Sequence, residues 1–144
     1  MTITRSYGTP VTVGGIPYLV GNGGEGKTPE LDNLVKQCAE WLANEFMRDI
    51  EIRFNSHRES GGAWLKNPLV GFAGNCQVGL GAGLWSNGIK GLFTDVYLDS
   101  SALKDKATAN SGNPDSRYYC QCFNTFEEAT ADLLAKIDRS KMYD

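Results

Sequence analysis

Gly21 to Thr28 reads GNGGEGKT and satisfies the spacing G-x-x-x-x-G-K-[ST], in which a glycine-rich loop turns backbone N–H groups toward a phosphate and the lysine adds charge. Pro29 stands immediately after the threonine and has no N–H to give to such a cradle. The residues before the loop look like half of a hairpin, whereas a P-loop hydrolase is built on a parallel sheet with helical crossovers. The same eight residues also suit a plain turn leading into Thr28 as a helix N-cap, or a partial anion site made of Lys27 and the glycine amides.

His57 is the only histidine, which removes any two-histidine chemistry. It lies in RFNSHRES, where Arg53, Asn55 and His57 alternate along a strand and share one face, an arrangement suited to hydrogen bonding a phosphate or a ribose or simply to a wet sheet face. Cys38, Cys76, Cys120 and Cys122 show no C-x-x-C spacing, so neither a zinc ribbon nor a redox pair is indicated. Cys120 and Cys122 share a strand face in YYCQCF, and a catalytic thiol there would need a neighbouring base or positive field. No residue set assembles a hydrolytic apparatus, a metal site or a cofactor motif, and the chain is expected not to be an enzyme.

QVGLGAGLW places Gly79, Gly81 and Gly83 on one face of a strand, where they allow a ligand, a second subunit or a helix to approach the backbone closely. Trp64, Trp85, Phe93, Tyr97, Tyr118 and Tyr119 offer stacking surfaces, and Arg53, Lys66, Lys90 and Arg117 offer cations. The expected ligand-binding residues are therefore Lys27, Arg53, Asn55, His57, Gly81, Phe93, Tyr97 and Arg117.

The elements that must carry these residues follow from periodicity. Pro10 to Val13 and Ile16 to Val20 flank Gly14-Gly15 and form a hairpin. Leu31, Leu34, Val35, Cys38, Leu42, Phe46 and Ile50 recur at helical spacing from Pro29 to about Asp49, behind Thr28 as N-cap. From Glu51 to Asp99 the period is two, cut by turns at Glu59 to Gly62, Gly74-Asn75 and Asn87-Gly88 into four strands. Ser100 to Ser116 has little to bury and is expected to be a mobile loop. A strand over Arg117 to Phe123 follows, then a helix opened by a Thr125/Glu128 capping box and ending near Arg139. These elements predict an α+β, two-layer fold: an antiparallel β-meander of about five strands plus an N-terminal hairpin, with two helices packed on one face. The size suits one domain over residues 1–144.

Seventeen glycines in 144 residues, about 12% against a usual ~7%, are the compositional outlier. A net charge of −3 is too acidic for a protein that holds long nucleic acid. The sequence has no apolar run of membrane-spanning length and no secretory signal in Met1 to Pro10, which predicts a cytoplasmic protein without a membrane partner.

In size, charge and plan, from IPYLVGNGGEGKT through one long helix and a meander to RYYCQCFNTFEEA, the chain resembles the small acidic accessory proteins that phages carry against bacterial immunity. The resemblance is to the sponge type of Thoeris and CBASS inhibitors. It implies a non-catalytic protein of the bacterial host cytoplasm that sequesters a cyclic ADP-ribose-like or cyclic oligonucleotide signal. The alternatives are an anti-CRISPR-type inhibitor that occludes a protein partner, presenting Asp95, Asp99 and Glu25, and a small P-loop nucleotide hydrolase. A homo-oligomer is expected, because a sheet face of glycines beside aromatics is too apolar to be left wet.

Overall fold

The computed structural model describes residues 2–5, 9–13, 15–20, 22–23, 28–55, 59–66, 78–84, 91–99, 102–105 and 118–141. It is an α+β fold. The elements run β1 (Ile3–Arg5), β2 (Thr9–Val13), β3 (Ile16–Val20), β4 (Asn22–Gly23), α1 (Pro29–Phe46), β5 (Ile50–Asn55), β6 (Ser60–Leu65), β7 (Val78–Leu84), β8 (Leu92–Asp99), β9 (Tyr118–Phe123) and α2 (Phe126–Lys136). The main sheet has the order β1-β5-β6-β7-β8-β9, and β5 to β9 form the predicted five-strand antiparallel meander. β2 and β3 form the expected hairpin, with Val13 opposite Ile16 and Gly15 at φ 81° in the left-handed region that a glycine adopts without cost.

The meander's outer neighbour was not foreseen. β1 lies parallel to β5 along Ile50–Ile52, and β4 runs antiparallel to it at Phe54 and Asn55, so the sheet is mixed. Three and two residues are too few for an alternating pattern to emerge. β1 is held instead by long-range contacts: the backbone N–H of Thr2 donates to Asp49 Oδ1 at 2.8 Å, and Arg5 makes a bidentate pair with Asp32 of α1 at 2.7 and 3.1 Å.

α1 starts as predicted. Thr28 is the N-cap, its Oγ1 accepting from the Leu31 N–H at 3.2 Å, and Pro29 occupies the first turn, where no N–H is needed. The helix ends at Phe46 rather than near Asp49, because Met47 turns into the left-handed region (φ 54°) and its N–H closes on the Ala43 carbonyl. Ile50 therefore belongs to β5, although it continues the helical spacing. α2 begins at the capping box, where Thr125 Oγ1 accepts from the Glu128 N–H at 3.1 Å and donates to its carboxylate at 2.9 Å.

Both helices cover the same face of the sheet and share one core. Ile50, Ile52, Phe54, Ala63, Leu65, Val78, Leu80, Ala82, Val96 and Leu98 point into it, with Leu31, Val35, Cys38 and Leu42 from α1 and Ala129 and Leu133 from α2. α1 lies over β5 to β7 and α2 over β8 and β9. Trp41 of α1 makes edge contacts with Phe46 and with Phe126 of α2, at 6.2 and 6.4 Å between ring centroids. Tyr119 OH donates to Asp132 Oδ2 at 2.6 Å and fastens α2 to β9.

Part of the expected 100–116 loop is built in. Ala102 and Leu103 are fully buried, Leu103 bridges Ile137, and two backbone hydrogen bonds join 102–104 to the end of α2. Two apolar residues among polar neighbours carry no period, and their burial is set by α2. Residues 106–117 lie outside the described residues.

Candidate functional site

The sheet face away from the helices carries the residues that could do chemistry. Registers across five strands place Arg53, Gly62, Gly81, Asp95 and Cys122 in one cross-strand row. The adjacent row is Glu51, Trp64, Gly79, Tyr97 and Cys120, and a third holds Ser60, Gly83 and Phe93. Arg53, Gly81, Phe93 and Tyr97, all expected from the sequence, are thus brought to one face. Asn55 ends β5, but its side chain is outside the described part, as are Lys27, His57, Arg117, Trp85, Cys76 and the side chain of Tyr118. Tyr119 belongs to the opposite face, under α2.

The sheet's own aromatic rings fill the close approach that the glycines allow. A Cβ built on Gly81 would sit 2.6 Å from Tyr97 Cε2, and one on Gly79 would strike the Trp64 ring. The Nε1-bearing edge of the same indole, Cζ2, Cε2 and Nε1, lies over Gly62, at 3.2 to 3.3 Å from a Cβ there. Trp64 and Tyr97 lean over the glycines from either side and meet with centroids 5.1 Å apart at 46°. The glycines are buried beneath them, while both rings remain half-buried. The glycines themselves are not wet in the folded chain, and the two half-buried rings are the apolar surface that this face presents. Phe93 is buried and offers no open stacking surface.

Charge on this face is arranged in two places. Arg53 donates from Nε and Nη2 to the two carboxylate oxygens of Glu51, both at 3.0 Å, a bidentate pair that leaves the guanidinium side chain 42% exposed. Any anion binding Arg53 competes with Glu51. At the other end of the row Asp95 is only 3% exposed and accepts from Tyr97 OH at 3.0 Å. Burial raises its carboxyl above the ordinary aspartate value of 3.8, against the opposing effect of hydrogen bonds from Cys122 and Tyr97. Tyr97 is raised as well, by burial first and then by the Asp95 charge.

Burial likewise pushes the Cys120 thiol up to about 11, with Asp95 adding to the shift, and burial on the core side of α1 takes Cys38 to about 12. Both changes run opposite to the activation that a nucleophilic thiol needs. Among the described residues no group of three or more histidine, cysteine or acidic side chains could hold a metal ion.

Thr28, the last residue of the P-loop-like stretch, has its hydroxyl engaged as an N-cap in extended backbone, ahead of the helix. Gly24 to Lys27 are outside the described residues. Asp95 and Asp99, the acidic residues that would present a mimic surface, are 3% and 9% exposed. The sequence signals that point to Trp64, Glu51 and Asp95 are their places two residues from Gly62, Arg53 and Tyr97, which put them on the same face. No helix among the described residues is long and apolar enough to cross a membrane.

The chain was compared with family models, curated proteins and solved structures, and nothing in any of the three matches it.

Proposed function

We propose that the chain is a non-catalytic binding protein that takes up a small nucleotide-type signalling ligand, of the cyclic ADP-ribose or cyclic oligonucleotide class. By withholding it, the chain inhibits a bacterial immune system in the cytoplasm of the host cell, and it works as a homo-oligomer. One observation supports this above the others: the half-buried Trp64–Tyr97 pair is laid on a glycine floor beside the partly exposed Arg53. A base stacks on the outer side of such rings, and a phosphate is met by the guanidinium. Among the described residues of this face, burial pushes the Cys120 thiol up, opposite to the activation of a nucleophile, which favours release of the ligand unchanged.

Thermal-shift screening against mono-, di- and cyclic nucleotides, followed by mass spectrometry of what denaturation releases, tests the proposal. An intact nucleotide, with quenching of tryptophan fluorescence on rebinding, is expected. A recovered product would instead make the chain an enzyme, and no shift with any nucleotide would turn the question to an occluded protein partner. Arg53→Ala should weaken binding by about 1 to 3 kcal/mol, the range of a charge-assisted hydrogen bond. Glu51→Gln should strengthen it by releasing the guanidinium, and calorimetry on the two variants reads both signs.

A further inference from the structure

The Glu51–Arg53 pair decides which side of the guanidinium a ligand can reach. A guanidinium offers parallel N–H donors along two edges, and Glu51 accepts from the Nε–Nη2 edge, leaving the edge between Nη1 and Nη2. Arg53 makes no other hydrogen bond or ion pair among the described residues, and its side chain is 42% exposed. An anion on the second edge shares the guanidinium with Glu51 and so competes with it for charge rather than for position. A second donor stands beside this edge. The Nε1-bearing edge of Trp64 lies over Gly62, the residue paired with Arg53, and Trp64 is itself paired with Glu51. Its indole N–H can only donate, and it has no acceptor among the described residues.

We infer that this seat takes a singly charged phosphodiester and rejects a phosphomonoester, and that Glu51 is the residue that sets the difference. The charges of Glu51 and Arg53 sum to zero, so the pair and the indole offer an anion several N–H donors without a surplus of positive charge. A phosphodiester carries one negative charge. A monoester carries close to two above its second ionisation at about pH 6. The added charge costs more to desolvate, and the Glu51 carboxylate repels two charges twice as strongly as one. The seat therefore suits nucleotides in which every phosphate links two groups, and it discriminates against linear nucleotides that end in a phosphate. The inference rests on the nucleotide-binding role proposed for this face and names which phosphates that face accepts.

Dimethyl phosphate and methyl phosphate, compared at about pH 8, are the probes: they differ by one charge and carry no base that could bind elsewhere. Their binding is followed by NMR through the tryptophan indole N–H signals, that of Trp64 being identified by its loss in Trp64→Phe. On the wild type, which needs no variant to fold, dimethyl phosphate should move the Trp64 signal with about fivefold higher affinity than methyl phosphate. Glu51→Gln, with an unchanged circular dichroism spectrum, should gain about tenfold more affinity for methyl phosphate than for dimethyl phosphate, because the lost carboxylate repelled one charge more. A Trp64 signal that dimethyl phosphate does not move, equal or tighter binding of methyl phosphate by the wild type, or a preference that survives Glu51→Gln would each overturn the inference. Thermal shifts with 3′,5′-cyclic AMP, cyclic di-AMP and 5′-AMP on the same protein separate the two proposals. Stabilisation by these nucleotides with a Trp64 signal indifferent to dimethyl phosphate overturns the seat alone. A Trp64 signal moved by dimethyl phosphate, with no nucleotide stabilising the chain, overturns the nucleotide reading alone.

Discussion

At residue scale, the glycines of β7 decide how the ring-bearing face is built. Gly81 has Tyr97 Cε2 on one side of any added Cβ and the Gly61 carbonyl, 3.1 Å away, on the other. Gly81→Ala should therefore cost about 1 to 3 kcal/mol of stability through overpacking, measured as a lower denaturant midpoint at constant slope. Combining it with Tyr97→Ala should recover part of that loss in a double-mutant cycle. Strict additivity would mean that the ring does not lie where it is described. The parity of these residues was legible in the sequence, since glycines and aromatics two apart must share a face. Which way Trp64 and Tyr97 lean was not, because ring direction depends on registers between strands far apart in the chain.

At the scale of elements, local chemistry was a good guide wherever a cap or a turn acts within a few residues. Thr28-Pro29 and Thr125/Glu128 open the two helices as expected, and Gly15 lies at the hairpin turn. Stop signals were harder to see. Ile50 sits at helical spacing from Phe46, and only the left-handed turn at Met47 transfers it to β5. The segment after β8 makes the same point, since its order comes from α2. Leu103 is fully buried there, so Leu103→Ala should cost about 2 to 5 kcal/mol, as a core leucine does. Chemical denaturation checks this, and a loss under 0.5 kcal/mol would return the segment to the status of a surface loop.

At the scale of the whole molecule, stability should carry the signature of the buried carboxylate. Burial holds the folded-state pKa of Asp95 above 3.8, so its protonated form favours folding, fully below that value. The contribution is lost as pH rises through the raised folded-state pKa. Asp49 has the opposite sign, because the Thr2 backbone N–H lowers its pKa, and it is exposed. Asp95→Asn isolates the first effect: its stability relative to the wild type should increase from about pH 4 toward neutrality. A difference that stays constant or shrinks would show that Asp95 is solvated in the folded chain. The two-layer plan was readable from alternation and helical spacing, whereas the parallel strand at the sheet's edge was not, because its partner lies beyond a whole helix. That separation has a kinetic consequence. The pairings of the meander close shorter stretches of chain than the β1–β5 pairing does, and Ile3–Arg5 has no strand to join until α1 and β5 exist. Docking of the N-terminal strand, the pairing of greatest sequence separation among the described strands, is thus expected to be the late step of folding. Until it occurs the Ile50–Ile52 edge stands open, which makes a nascent or partly refolded chain more prone to aggregate than the finished one.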